Sequence, residues 1–176
     1  GYTGIIRGLA EIYESPKVIV VFQLLLTLAV SFHLSLAVGS ILENKLSAVL
    51  FGYVLFSSWP WFFHSYQIGT DQIFFALLAW HFAFALDALR SLNKKALFMM
   101  ALTTAVLISI RPAGIFLLGT LPFFWILFSW ERRRVGLFYV VPLLMLLSAL
   151  VLFNRNYLGF YGFSSFAGAS FSGSTL

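Results

Sequence analysis

The residues that could bind a substrate or move a proton are few, and the first group surrounds Asp71. Asp71 follows Thr70 at the start of a long apolar run, and His64 and Gln67 lie in the polar stretch just before it. A carboxylate there, at the rim of an external cavity, could bind a divalent metal, a base or a sugar hydroxyl. The alternative is structural: Thr70 or Asp71 caps a helix whose positive dipole end suits the charge, and His64 is a hydrogen-bonded spectator.

The second group is cationic. Arg111 stands directly before Pro112 within an otherwise apolar stretch, and Arg155 and Asn156 follow the last apolar run. A guanidinium can bind a phosphate or pyrophosphate through two parallel hydrogen bonds, so Arg111 and Arg155 are candidate anion ligands. Two structural alternatives remain open: Arg111 as an anchor that reaches the membrane surface, and Arg155 as a cation at the negative end of a helix.

Three further ionisable residues lie within the apolar runs. For His33 and His81 the simplest interpretation is a hydrogen bond between helices, which satisfies a polar group inside a membrane. Asp87 lies near the end of its run, where we expect it to pair with Arg90 or Lys94. We therefore assign these three residues to structure rather than to a site.

Several classes of function are excluded. The sequence has no cysteine, so disulfides, thiol catalysis and thiolate metal sites are ruled out. No Walker loop, dinucleotide-binding glycine motif, HExxH or GxSxG is present. The dense basic runs adjoin apolar segments, where membrane topology explains them, so we do not expect nucleic-acid binding.

The composition of the chain indicates whether water or lipid surrounds the structural elements that carry these residues. Hydrophobic residues make up 61% of the chain and charged residues only 10%, with a mean hydropathy of +0.95. Soluble proteins carry roughly 25% charged residues, and a chain this apolar cannot cover its surface with polar groups. Lipid must therefore surround it.

We predict an all-α polytopic membrane protein. An interfacial amphipathic helix over residues 1–17 precedes a bundle over 18–153, and residues 154–176 form an external loop rich in Gly, Ser and Phe, or the start of a further region. Pro112 biases Arg111 away from helix and splits an apolar stretch too long for one crossing. About six transmembrane helices result: 18–42, 46–63, 70–89, 96–110, 112–129 and 135–153.

Charge asymmetry orients this arrangement. With six crossings, one side carries seven basic residues: Lys45, Arg90, Lys94, Lys95, Arg132, Arg133 and Arg134. The other carries four: Arg7, Lys17, Arg111 and Arg155. Basic residues collect on the cytoplasmic side, so the candidate residues around Asp71, Arg111 and Asn156 are expected on the external face, whether periplasmic, lumenal or extracellular.

The order of short motifs resembles a known enzyme family. After an aromatic turn at Trp59-Pro60 come Thr70-Asp71-Gln72-Ile73-Phe74, the Arg-Pro step in residues 107–114, and Asn154-Arg155-Asn156-Tyr157 followed by an aromatic Gly/Ser stretch. The sequence is similar in this to integral-membrane glycosyltransferases of the GT-C fold, in the style of protein O-mannosyltransferases and aminoarabinose transferases. The motifs are short, and they extend over nearly the whole chain.

The resemblance implies transfer of a sugar from a polyprenyl-phosphate-linked donor to a protein, glycan or lipid acceptor on the external face of a plasma, inner or endoplasmic reticulum membrane. Asp71 and Arg111 would line the cavity for sugar and lipid phosphate, and a divalent metal such as Mg²⁺ or Mn²⁺ is a potential cofactor. The main catalytic carboxylate would precede Gly1, so we expect an internal fragment. The alternatives are a transporter or flippase segment and a non-catalytic assembly subunit.

Overall fold

A computed structural model describes residues 16–58, 70–91, 93–119, 130–159 and 161–163, and every regular element in those ranges is helical. Those ranges contain five α-helices: α1 (Pro16–Ile41), α2 (Lys45–Ser57), α3 (Thr70–Ser91), α4 (Lys94–Ile110) and α5 (Trp130–Phe153). A 3₁₀ helix (Pro112–Gly119) follows α4, and a π-helical turn (Asn154–Leu158) continues α5. The chain divides between Asn93 and Lys94 into two compact units.

In the N-terminal unit, α1 and α2 form a tight antiparallel hairpin. Glu43 takes the left-handed conformation with φ of 52°, and the Asn44 side chain caps α2 by accepting a hydrogen bond from the Leu46 amide at 2.9 Å. The two helices approach closely at a glycine: a Cβ at Gly39 would collide with the Cβ of Ala48. Small residues at this crossing therefore set the distance between the helices.

Helix α3 runs parallel to α1. Gln72 near the start of α3 contacts Thr27 of α1, and Trp80 and Asp87 farther along contact His33. Residue numbers therefore increase in the same direction along α1 and α3, whereas α2 runs in the opposite direction. Three successive helices that alternate in direction are what three successive membrane crossings require, and the start of α3 lies at the same end of the unit as the start of α1.

The second unit is organised around a break in the chain at Arg111. Helix α4 ends at Ile110, and the 3₁₀ helix begins at Pro112. The Gly114 amide donates to the Arg111 carbonyl at 2.9 Å, and a Cβ at Gly114 would lie 2.6 Å from the carbonyl carbon of Leu107. The 3₁₀ segment therefore lies directly on the end of α4, at a position that only glycine fits.

Three of the described helices are long and apolar enough to cross a membrane: Lys17–Ile41, Asp71–Ser91 and Arg134–Tyr157. Many of their large apolar side chains are exposed, as lipid contact would require. The prediction of six crossings is not confirmed. The described part of α2 has 13 residues, about 20 Å of helix, and α4 has 17, about 26 Å, against a hydrocarbon core of about 30 Å.

Some predicted elements fall beyond the described ranges. The interfacial helix over 1–17 lies outside them except for Pro16 and Lys17, which already belong to α1. Residues 59–63 of the second predicted crossing, 120–129 of the fifth, and 164–176 of the tail also lie outside them. What is described of the fifth is a 3₁₀ helix rather than the start of an α-helix.

Candidate functional site

A histidine and an aspartate inside the apolar helices are directly paired. His33 of α1 places Nε2 2.8 Å from Oδ2 of Asp87 on α3. The other ring nitrogen, Nδ1, accepts a hydrogen bond from Nε1 of Trp80 at 2.9 Å. Phe84 completes the group, stacked on Trp80 and edge-on to His33. We call His33, Trp80, Phe84 and Asp87 the His–Asp cluster.

The geometry of the His–Asp cluster determines the tautomer of His33. An indole N–H can only donate, so Nδ1 of His33 must present its lone pair to Trp80. The ring proton of the neutral imidazole is then on Nε2, where it is donated to the Asp87 carboxylate. The three side chains therefore form a chain of hydrogen bonds from indole to imidazole to carboxylate.

The cluster corrects one prediction and bears out another. Asp87 pairs with His33, not with Arg90 or Lys94; the Lys94 ammonium instead lies 4.8 Å from the centre of the Phe138 ring. His33 makes the expected bond between helices. Asp87 lies on the side of α3 that faces α1, and the partner there is a histidine rather than a cation of its own helix. His81 is buried and meets Phe82 edge-on, and an interhelical bond for it stays a prediction.

Buried polar side chains form a stripe along one face of α1. Its members recur every four residues, which places them on one helical face: Gln23, Thr27, Ser31 and Ser35. The three hydroxyls each donate to the carbonyl four residues earlier, at 2.7–2.8 Å. Thr27 also accepts from the amide of buried Gln72 at 2.6 Å. The three hydroxyls of the stripe are therefore satisfied by the backbone of α1, and the Thr27–Gln72 contact joins α1 to α3.

Asp71 is exposed in the first turn of α3, beside buried Gln72. A carboxylate in that position interacts favourably with the positive end of the helix dipole, as the structural alternative requires. It is also accessible to a ligand at the end of the unit where α1 begins. His64 and Gln67, which would complete this group, lie outside the described residues.

Arg111 is half-buried at the break between α4 and the 3₁₀ helix. Its amide donates to the Leu107 carbonyl at 3.0 Å and its carbonyl accepts from Gly114, so the backbone is held on both sides. The Arg111 side chain is thus carried on a firmly anchored turn at the end of α4. Arg111 and Arg155 belong to the second unit and Asp71 to the N-terminal unit.

Arg155 and Asn156 lie in the π-helical turn after α5, and both are exposed. The Arg155 guanidinium is 4.9 Å from the centre of the Tyr161 ring, a cation–π contact. Neighbouring Asn154 is buried, and its amide donates to the Gly162 carbonyl at 2.7 Å, which folds the following segment back. Arg155 is thus positioned by an aromatic ring while its donors remain accessible.

Within the described ranges, no cluster of three or more His, Asp or Glu side chains could hold a metal ion. The structure therefore gives no geometry for the Mg²⁺ or Mn²⁺ considered from the sequence, and Asp71 as its ligand stays a prediction. The expected catalytic carboxylate upstream of Gly1 also remains a prediction.

Sequence reasoning missed the pairing in the His–Asp cluster. A signal was present, because ionisable residues within transmembrane segments are rare and usually mark functional sites. Trp80 carried no such signal, since an indole in an apolar helix is common. The stripe on α1 was also readable, as a four-residue spacing of polar side chains.

No family model, curated protein or solved structure matches the chain. The resemblance to GT-C glycosyltransferases therefore rests on the sequence motifs alone.

Proposed function

We propose that this chain is the membrane-embedded part of a glycosyltransferase that takes its sugar from a polyprenyl-phosphate-linked donor on the external face. The observation that carries the proposal is Arg111: a half-buried arginine whose backbone is held at the break between an apolar α-helix and an apolar 3₁₀ helix. A donor of this kind needs a cation at headgroup depth for its phosphate and apolar helix surfaces for its tail.

In this proposal each candidate residue has a separate task. Arg111 binds the lipid phosphate bidentately and stabilises its charge as the glycosidic bond to it breaks. Asp71 contacts sugar hydroxyls or a bound metal, and Arg155 and Asn156 supply further polar contacts near the external surface. A carboxylate deprotonates the acceptor hydroxyl as its oxygen attacks the sugar, and the phosphate leaves with little help from an acid.

Binding of the bare polyprenyl phosphate tests the proposal, because this product is common to all donors of the class. The full-length protein in nanodiscs is titrated with polyprenyl phosphate, and Arg111→Ala should weaken binding by about tenfold to a hundredfold. That range corresponds to the loss of a hydrogen bond to a charged group, about 1.5–3 kcal/mol.

Two controls sharpen the measurement. Arg111→Lys keeps the charge and loses the bidentate fork, so its affinity should fall between those of wild type and Arg111→Ala. Lys45→Ala removes an exposed cation elsewhere and should leave the affinity unchanged. Equal affinity of wild type and Arg111→Ala would remove the support for the proposal.

One observation favours a second candidate, a proton-linked transporter. Ionisable pairs between transmembrane helices commonly serve as proton relays in transporters, and His33 with Asp87 is such a pair. Substrate uptake into proteoliposomes driven by a proton gradient, abolished by Asp87→Asn, would favour this candidate, whereas a glycosyltransferase should keep its polyprenyl-phosphate affinity in Asp87→Asn.

A further inference from the structure

A cleft of about 330 Å³ opens on the surface of the second unit beside α5. Four of its described lining residues are apolar, and one is a cation: Leu137, Phe138, Val141, Pro142 and Arg134. Arg134 is at one end of this run and Pro142 at the other, two helical turns away. The cleft therefore combines a charged end with an apolar floor.

A proline inside α5 lies at the cleft. Pro142 has no amide hydrogen, so the carbonyl of Phe138 loses its usual partner four residues later. Phe138 and Pro142 both line the cleft, so the position of the missing backbone hydrogen bond coincides with the cavity.

A second cation reaches the same place from another helix. Lys94, the first residue of α4, holds its ammonium 4.8 Å from the centre of the Phe138 ring. Both Lys94 and Arg134 are exposed. A cation of α4 thus contacts an aromatic ring of the cleft, and Arg134 of α5 lines the same cleft. Lys95, Arg132 and Arg133 adjoin these two cations in the sequence.

We propose that this cleft binds an anionic phospholipid of the bilayer, with its phosphate between Lys94 and Arg134 and an acyl chain along Leu137, Val141 and Pro142. Charge complementarity identifies the occupant: basic pockets beside transmembrane helices suit anionic headgroups, and the apolar floor suits a hydrocarbon chain. Nonspecific attraction of basic residues to an anionic membrane would not require a cleft. Here Arg134 both carries a charge and lines the cleft. The site is separate from Arg111, and lipid binding there does not depend on glycosyl transfer.

The test is retention of phosphatidylglycerol by the full chain in phosphatidylcholine nanodiscs, measured by native mass spectrometry. Arg134→Gln and Lys94→Gln should each lower the affinity about fivefold, the effect of roughly 1 kcal/mol per basic residue near an anionic surface. Lys45→Gln, an exposed cation on the other unit, should have no such effect. Arg134→Lys should retain most of the binding, which separates loss of charge from loss of fold.

The apolar part of the site is tested by a second pair of variants. Val141→Trp should fill the cleft and lower phosphatidylglycerol retention without altering any charge. Met145→Trp, one turn farther along α5 and exposed outside the cleft lining, should leave retention at the wild-type level.

Three outcomes would overturn the proposal. A loss in Lys45→Gln equal to that in Arg134→Gln would mean diffuse surface attraction. Unchanged retention in Val141→Trp would mean that no acyl chain occupies the cleft. A change of oligomeric state in Val141→Trp, with lipid retention unaltered, would mean that a second copy of the chain covers it.

Discussion

His33 donates a hydrogen bond from Nε2 to Oδ2 of Asp87, 2.8 Å away, and this contact joins two parallel apolar helices. Both side chains are about one-third exposed or less, at 27% and 33%. An unpaired carboxylate would be costly in lipid, and the hydrogen bond from His33 lowers that cost for Asp87. The pair also fixes the rotation of α1 against α3.

We expect His33 and Asp87 to be energetically coupled. A double-mutant cycle with His33→Ala and Asp87→Ala should give a coupling free energy of about 0.6–1.7 kcal/mol, the range for hydrogen bonds between membrane helices. Unfolding of the purified protein in mixed micelles supplies the four free energies. Arg90→Ala, an exposed position on the same helix, should show no coupling to His33. A zero value for the His33–Asp87 cycle would mean that the two side chains do not interact in the folded protein.

We also expect neutral His33 to adopt one tautomer, with its proton on Nε2. Because Trp80 donates to Nδ1, nitrogen NMR of the neutral ring should show a pyridine-type Nδ1 and a protonated Nε2. Trp80→Phe removes the donor and should change the Nδ1 resonance while Nε2 keeps its bond to Asp87. A proton on Nδ1 in the wild-type neutral ring would contradict the geometry.

The contact between Gly39 and Ala48 predicts a substitution that can be rescued. Gly39→Ala should destabilise the protein by about 1–3 kcal/mol, since the added methyl collides with Ala48 and overpacking carries this cost. Gly39→Ala combined with Ala48→Gly moves the methyl to the other helix and should recover most of the loss. Thermal unfolding in micelles measures both effects. No recovery in the double variant would show that the α1–α2 crossing is not set by this contact.

Gly114 and Gly119 form a matched pair within the 3₁₀ helix. A Cβ at Gly114 meets the backbone of Leu107 and Ile108, whereas a Cβ at Gly119 meets nothing within 4 Å. Gly114→Ala should therefore displace the segment that holds Arg111, lowering the unfolding temperature and weakening polyprenyl-phosphate binding. Gly119→Ala should leave both properties near wild type. Equal behaviour of the two variants would argue against a backbone packed at Gly114.

Helix positions were largely predictable because their limits depend on local chemistry. The apolar runs and the Arg111-Pro112 step place the ends of α1, α3 and α4 within two residues of those in the structure. The 3₁₀ conformation after Pro112 was not predicted, because it depends on how closely Gly114 approaches the end of α4. A sequence does not display such tertiary contacts.

The pairing of side chains was harder to predict than the helices. A helix that is apolar on all sides gives little sign of which face meets its neighbour, so the partner of Asp87 was assigned by proximity in sequence. Arg90 was three residues away, and His33 was fifty-four residues away. Only the packing of α1 against α3 reveals that the partner of Asp87 is His33.

Sidedness is the claim on which the external placement of Arg111 depends, and cysteine labelling tests it most directly. The chain has no cysteine, so single substitutions at exposed Lys45, Lys95 and Asn156 give unambiguous positions. A membrane-impermeant maleimide added outside intact cells should label Asn156→Cys, and should label Lys45→Cys and Lys95→Cys only after the membrane is opened. Labelling of Lys45→Cys or Lys95→Cys from outside, with Asn156→Cys protected, would contradict the account and place Arg111 in the cytoplasm.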